Sequence, residues 1–367
     1  MSVWVVVGGQ FGSEGKGKIS AIITLQENID LCIRCGGPNS GHSFQKQNGE
    51  MVLLRQLPTG FVRPETRLLV PAGGLVDLDV LRGEIEALGL DADRVGIDRN
   101  AMVITEADRE NEKRLAMSER LSSTLCGVGS AVARRALRSE DVDLAASAAA
   151  CHAWLRPFLT DVSAEANSAV DAGKRVLVEG TQGSGLSLYH GLYYPKATSR
   201  DTNAAGFVSE VGLSPRLVSE VVLVFRTFPI RVAGPQAGPL HEELTWEQLQ
   251  AESGSPHPLH EFTSVTHKLR RVARFDWAAA KRAITLNRPT RLAVNFVDYL
   301  SFDNRAASRW AALDTEAKGF IRGLEQLGVP VRYVGTGPRL ADSVVPDSPP
   351  GLSPAGGMQA RFEGAYL

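Results

Sequence analysis

Residues 3–20 read VWVVVGGQFGSEGKGKIS, and this stretch decides the fold. Val3–Val7 is a β-branched and aromatic run ending at Gly8, the pattern of a buried strand. Gly8, Gly9, Gly12, Gly15 and Gly17 follow, with Lys16 and Lys18 among them, and ISAIITL (19–25) can start a helix. Strand, glycine turn and helix start form the layout of a phosphate cradle, in which backbone N–H groups, a helix N-terminus and lysine charge face one anion. Gly12–Lys18 nearly satisfies G-x-x-x-x-G-K-[ST], but Ile19 stands where Ser or Thr would bind magnesium. Glycine turns are also built for tightness alone; two lysines and a helix start favour phosphate. Inside the turn, Ser13 places a neutral hydroxyl beside Glu14.

Composition narrows the classes. The 367 residues are 43% hydrophobic and 22% charged, enough to bury a large core. A net charge of −1 argues against a general nucleic-acid or membrane surface. No apolar run reaches the length of a membrane span, and the N-terminus lacks the basic region and apolar core of a signal peptide. Four cysteines, Cys32, Cys35, Cys126 and Cys151, suit a reducing cytoplasm. Cys32 and Cys35 make a C-x-x-C without a second pair for zinc, in an apparent strand, so they read as buried thiols.

Strand-like runs recur along the chain: VWVVV, DLCIRC, RLLVPA, AMVIT, RVLVEG, SEVVLVFR, RLAVNFVDYL and VRYVG. Helix-like stretches lie between several of them: LRGEIEALGL, GSAVARRALRS, the long DLAASAAACHAWLRPFLTDVSAEANSAVDAG, and DWAAAKRAITL. This alternation predicts an α/β protein with a central, mostly parallel sheet, flanking helices and long active-site loops. One large domain over 1–345 and an irregular tail over 346–367 are expected, since no linker divides the chain and DSPPGLSPAGG follows residue 346.

Polar chemistry concentrates at strand ends, where α/β sheets bind ligands. RCGGPNSGHS (34–43) carries Arg34, Asn39, Gly41, His42 and Ser43. SSTLCGVGSAVARRALR (122–138) is a hydroxyl-rich glycine turn leading into Arg134, Arg135 and Arg138. VEGTQGSGLSLYHG (178–191) and KATSRDTNAAG (196–206) offer Gln182 and Thr198. TSVTHKLRRVARFD (263–276) is a basic loop. NFVD (295–298) and VGTGP (334–338) close two strands. Arginines on a helix are commonly a solvated face and a lone His commonly structural; five such sites in order are harder to dismiss.

These motifs resemble the adenylosuccinate synthetases. QFGSEGKGK is similar to their QWGDEGKGK, NSGHS to NAGHT, STLCGVGSAVARRALR to TTGRGIGPAY…ARRGLR, VEGTQG to FEGAQG, and GTGP to STGP. The resemblance implies a two-step ligase. The γ-phosphoryl group of a nucleoside triphosphate moves to the 6-oxygen of a purine monophosphate, and aspartate then displaces that phosphate. Such chemistry is mostly positioning and charge neutralisation. The same likeness assigns Gly12, Glu14, Gly15, Lys16, Gly17, Lys18, Gly41, His42 and Ser43 to the triphosphate, with Lys16 and His42 catalytic and His42 the acid at the β/γ bridge. Asp298, Gly335, Gly337 and Pro338 would surround the triphosphate's base. The purine monophosphate would meet Ser13, Asn39, Ser123, Thr124, Gln182, Thr198, Val232 and Lys268, with Arg134 donated by the partner in a homodimer. Thr263, Ser264, Val265, Thr266 and Arg270 would grip L-aspartate, Arg270 as a bidentate clamp. Magnesium (Mg2+) would meet Ser13 and the Gly41 carbonyl. A cytoplasmic enzyme with small-molecule substrates, no nucleic acid and no membrane is implied, in the host cytoplasm if phage-encoded.

Departures from the family pattern shift the expected substrate. The family has an aspartate at Ser13, which removes the N1 proton of hypoxanthine and ligates magnesium; a hydroxyl is no base near neutral pH and a weak ligand. Shortening Asp to Ser opens space beside N1, where guanine carries its 2-amino group. A bacteriophage branch, the 2-aminoadenylosuccinate synthetases, has this change and uses dGMP; the sequence resembles that branch. An ordinary IMP enzyme with a displaced base is the alternative. Lys268 replaces an arginine near the ribose, and Phe296 replaces the lysine beside Asp298, so ATP or dATP becomes plausible in place of GTP.

Overall fold

The computed structural model describes residues 3–263 and 267–346. Ten strands make one sheet: β1 (Val3–Gly8), β2 (Leu31–Arg34), β3 (Arg67–Val70), β4 (Val95–Asp98), β5 (Leu159–Thr160), β6 (Val176–Glu179), β7 (Val218–Arg226), β8 (Arg291–Asn295), β9 (Val331–Gly335) and β10 (Ser343–Val344). Their order is β10-β9-β8-β7-β1-β6-β2-β3-β4-β5. Neighbours are parallel except β9 and β10. The mostly parallel α/β sheet expected from the alternation of runs is therefore present.

The reason lies in two-sided burial. Val3, Val5 and Val7 enter one apolar cluster and Trp4 and Val6 the cluster on the other face. Val176 and Val178 likewise oppose Leu177, and Leu223 and Phe225 oppose Val222 and Val224. Strands apolar on both faces need helices on both faces, which is the habit of parallel sheets. Helix Lys16–Gln26 covers one side with Ile19, Ile22 and Ile23; helix Ala204–Val211 covers the other with Phe207, Val208 and Val211. The chain winds outward in both directions from β1, which sits between β7 and β6. That reversal opens a crevice at the carboxyl ends of β1, β6 and β7.

Two expectations need correction. The stretch from Asp143 to Gly173 is not one helix: it breaks into helix Ala145–Ala148, a 3-10 turn Ala153–Phe158 containing Pro157, strand β5, and helix Val162–Asp171. Pro157 cannot continue a helix, and the Asp161 carboxylate restarts one by accepting from the Ala164 amide at 2.9 Å. AMVIT supplies only Met102–Val103, paired with Leu75–Val76 outside the main sheet. The sheet strand nearby is VGID, β4, which follows a polar turn and carries a glycine. The expected tail lies, from residue 347, outside the described residues. Cys32 and Cys35 are buried, and burial raises both thiols well above their usual range. No helix among the described residues is long and apolar enough to cross a membrane.

Phe225 ties the core to the crevice. It is fully buried, packs edge-on against Phe275 at 5.8 Å, and lies so close to Gly9 that a Cβ there would come within 2.2 Å of its ring. Phe225→Ala should cost about 3–5 kcal/mol of stability, read from urea denaturation midpoints with an unchanged slope.

Candidate active site

The turn after β1 is organised by its own carboxylate. Glu14 is fully buried; Oε1 accepts the Gln10 and Gly12 amides at 3.1 and 2.8 Å, and Oε2 accepts Lys16 Nζ at 2.6 Å. Lys16 also donates to the Gln182 carbonyl. The Gly12 amide, expected to face the triphosphate, is thus taken internally. Gly15 caps helix Lys16–Gln26 at φ +83, with Asn295 so near that a Cβ would stand 2.6 Å from its amide nitrogen. Gly17 lets the His42 Cβ approach within 2.6 Å of where its own would be. Ser13 also has positive φ, +59.

A cleft of about 550 Å³ opens over this turn. It brings together Gly12, Ser13, Gly15, Lys16 and Gly17 with Asn39, Gly41, His42 and Ser43 after β2, Ser123 and Thr124, Gln182 and Thr198, Val232, Thr263 and Arg270. Those after β1, β2 and β6 meet at the carboxyl edge of the central sheet, and the others reach it from the helix connection at Ser123–Thr124 and the small sheet of Ile230–Arg231 and Arg271–Ala273. Gln182 donates to the Thr198 hydroxyl at 2.9 Å. Arg270 Nη1 donates to the Ser13 hydroxyl at 2.8 Å.

Other expected residues stand apart. Glu14 is the internal counter-ion just described. Lys18 is buried and turns from the cleft to the Gly337 and Asp342 carbonyls at 2.8 and 2.5 Å; burial lowers its pKa to about 7. It thereby ties the helix start to the loop of Gly335, Gly337 and Pro338, none of which lines the cleft. Asp298 is buried and accepts Arg305 Nη1 at 2.5 Å through Oδ2, while Oδ1 has no partner. Arg134 does not line this chain's cleft: its guanidinium grips Asp108 through two bonds of 2.9 and 2.7 Å. Lys268 is exposed and off the cleft. Ser264, Val265 and Thr266 lie outside the described residues.

The centre that the sequence reading missed is Glu179. It ends β6 directly beside Arg34 of β2. Its Oε1 accepts Arg34 Nη1 at 2.8 Å and lies 2.6 Å from His42 Nδ1; its Oε2 accepts the Thr59 amide and hydroxyl at 2.9 and 2.6 Å. Burial raises its pKa, but His42, Arg34 and Thr59 outweigh it and bring the carboxyl to about 2. Burial, then Arg34, drives His42 down to about 4 against the pull of Glu179. A neutral His42 therefore donates through Nδ1 and leaves Nε2, buried and without a partner, as the free nitrogen. A charged residue closing an apolar strand, beside an opposite charge closing its neighbour, is the signal that could have found this pair. Glu112, Arg226 and Glu261 were also passed over.

No group of three or more His, Cys, Asp or Glu side chains able to hold a metal occurs among the described residues.

Comparison with known proteins shows the family of the chain and its fold. The adenylosuccinate synthetase family model matches residues 5–144 and 140–305. The adenylosuccinate synthetase of Thermococcus onnurineus is 40% identical over 345 residues, 93% of this chain and 97% of that one. That of Methanococcus aeolicus is 39% identical over 94% and 99%. Among solved structures, the succinoaminodeoxyadenylate synthetase of cyanophage S-2L, bound to dGMP and to dATP as an energy donor, matches with TM-score 0.80 and 27% identity, over 95% of this chain and 96% of that one. The fully ligated adenylosuccinate synthetase of Plasmodium falciparum shares the fold, TM-score 0.81 at 20% identity, over 95% of this chain and 100% of that one. The chain belongs to the adenylosuccinate synthetase family, a family of C–N ligases acting on purine nucleotides.

His42 should titrate near pH 4 in the free protein and higher once inorganic tripolyphosphate binds, followed by NMR of the imidazole. Between pH 4 and its usual 6.5, the unfolded chain holds a proton that the folded one refuses. Its contribution to stability therefore grows as pH rises through that window. A midpoint at or above 6.5 in the free protein would contradict the burial argument.

Proposed function

We propose that this member of the adenylosuccinate synthetase family joins L-aspartate to the 6-position of dGMP through a 6-phosphoryl intermediate, driven by ATP or dATP. The observation that carries this reading is Ser13. It faces the cleft in a left-handed turn with its hydroxyl bonded to Arg270, so the position beside purine N1 holds a small neutral group instead of a carboxylate. Space and an oxygen acceptor there suit the 2-amino group of guanine. The likeness to the cyanophage synthetase supports the same reading. The nearer sequence likeness to archaeal adenylosuccinate synthetases supports the second one, an IMP enzyme using GTP.

The energy donor follows from Asp298. Guanine offers two donors, N1–H and its 2-amine, to a carboxylate that can take both. Here Arg305 occupies Oδ2, and only the buried Oδ1 is left, matching the single exocyclic amine of adenine. Lys16 would neutralise the phosphates. His42 would deliver a proton through Nε2 to the bridging oxygen, its basicity raised by the polyphosphate charge and its ring held by Glu179. Arg270 would move from Ser13 to clamp an aspartate carboxylate.

Magnesium would be held by the Gly41 carbonyl, a hard oxygen ligand in the cleft lining. The ion supplies charge neutralisation at the transferring group. Ser13 fits it poorly, because its neutral hydroxyl is a weak ligand. A homodimer in which Arg134 reaches the neighbour's 5′-phosphate would require its pair with Asp108 to open.

The reading is tested by phosphate release with aspartate and magnesium over IMP, GMP and dGMP crossed with ATP, dATP and GTP. Aspartate-dependent release with dGMP and an adenine triphosphate is expected; release confined to IMP with GTP would establish the second reading. Ser13→Asp should lower the dGMP-to-dIMP ratio of kcat/KM by at least about tenfold, since a packed pocket resists added atoms and a broken hydrogen-bond pattern is strongly rejected. An unchanged ratio would remove Ser13 as the specificity determinant.

A further inference from the structure

Replacing the family's aspartate by Ser13 leaves the reaction without its base. In the lactam form, O6 of a 6-oxopurine is a poor nucleophile, and removal of the N1 proton places negative charge on it. A serine hydroxyl cannot accept that proton near neutral pH. Among the described residues, the carboxylates lining the cleft are Glu112 and Glu261. Glu112 is committed to backbone: it is buried and accepts the Gly127 and Gly129 amides at 2.9 and 2.7 Å. His42 points its free nitrogen from beside Gly17, at the phosphate end.

Glu261 stands next to Ser13. Arg226 Nη1 donates to both the Ser13 carbonyl, at 3.0 Å, and Glu261 Oε2, at 3.1 Å, while Arg226 Nη2 pairs with Oε1. Arg226 is fully buried, with Phe296 3.9 Å from its guanidinium carbon. The Arg270 amide donates to the Glu261 carbonyl at 2.8 Å, and its side chain holds Ser13 Oγ. Two arginines thus fix Glu261 and Ser13 side by side, with the Glu261 side chain 20% exposed at the cleft. Tyr299 is the other titratable group packed close to it.

We propose that Glu261 is the general base that takes the purine N1 proton in place of the missing aspartate. This rests on the phosphoryl-transfer reading above. The N1–H bond breaks toward a Glu261 oxygen, and its electron pair flows to O6. The O6–P bond forms as the bond from γ-phosphorus to the bridging oxygen breaks, and the nucleoside diphosphate leaves with that electron pair. Arg226 holds the carboxylate in place through both of its oxygens, and Ser13 leaves room for the 2-amine.

The test begins with wild-type protein and the monophosphate it turns over. Glu261→Gln should lower kcat by about 10²–10⁴-fold, the range of general-base catalysis. Because that change also leaves Arg226 buried without its anion, Glu261→Ala, shown folded by its unfolding temperature, is titrated with formate, acetate and chloride. Carboxylates should restore turnover, more so the more basic they are, and chloride should not. Adding Ser13→Asp to Glu261→Gln should raise turnover of dIMP at least tenfold over the single variant. A kcat within threefold of wild type in Glu261→Gln, or equal recovery with chloride, overturns Glu261 as base. Absence of phosphate release from wild type with every purine monophosphate would instead end the ligase reading, and this inference with it.

Discussion

A carboxylate shut away from water, Glu179, holds the catalytic end of the sheet together. Its removal from solvent is unfavourable, and it stays ionised only because Arg34, Thr59 and His42 all approach it. Those partners come from β2, the short strand His42–Gln45 and the 3-10 turn Thr59–Val62 before β3, so one charge fixes the relative position of three segments. Breaking a buried pair of this kind leaves an uncompensated charge, which costs far more than the pair itself contributes. The same contact sets the tautomer of His42, with Nδ1 on Glu179 and Nε2 buried without a partner.

A second buried carboxylate, Glu14, plays a comparable part in the glycine turn. It satisfies two amides and a lysine before any ligand arrives. The turn is therefore pre-shaped around an internal anion, and an incoming polyphosphate meets a formed loop with Lys16 already at its edge. At Ser13, in the same turn, the charges are arranged differently. Arg270 donates to the Ser13 hydroxyl, while Arg226 bridges the Ser13 carbonyl and the Glu261 carboxylate.

Much of this was legible in the chain. The two-sided apolar runs, ending in glycine, asparagine or charged residues, indicate a parallel sheet with chemistry at its carboxyl edge, and the ordered motifs indicate the family. Ser13 could be singled out because one substitution stands inside an otherwise intact turn. Boundaries were less legible. Periodicity alone carried the helical reading through Pro157 and past Asp161, and VGID was too short and too polar in its flanks to stand out as a strand.

The sequence by itself determined the class of fold and the glycine turn after β1, because these follow from local patterns: strand period, glycine where φ is positive or backbones approach, and residue type at strand ends. Only the tertiary structure decided which polar groups are partners. Arg34 with Glu179, Arg305 with Asp298, Arg134 with Asp108, and Arg226 with both Ser13 and Glu261 are pairings in which the sheet order or a loop crossing sets the distance. A charge read in sequence is a solvated face or a site residue with equal ease. What distinguishes them is the desolvation that forces a buried group to find its counter-ion, and that depends on the whole fold.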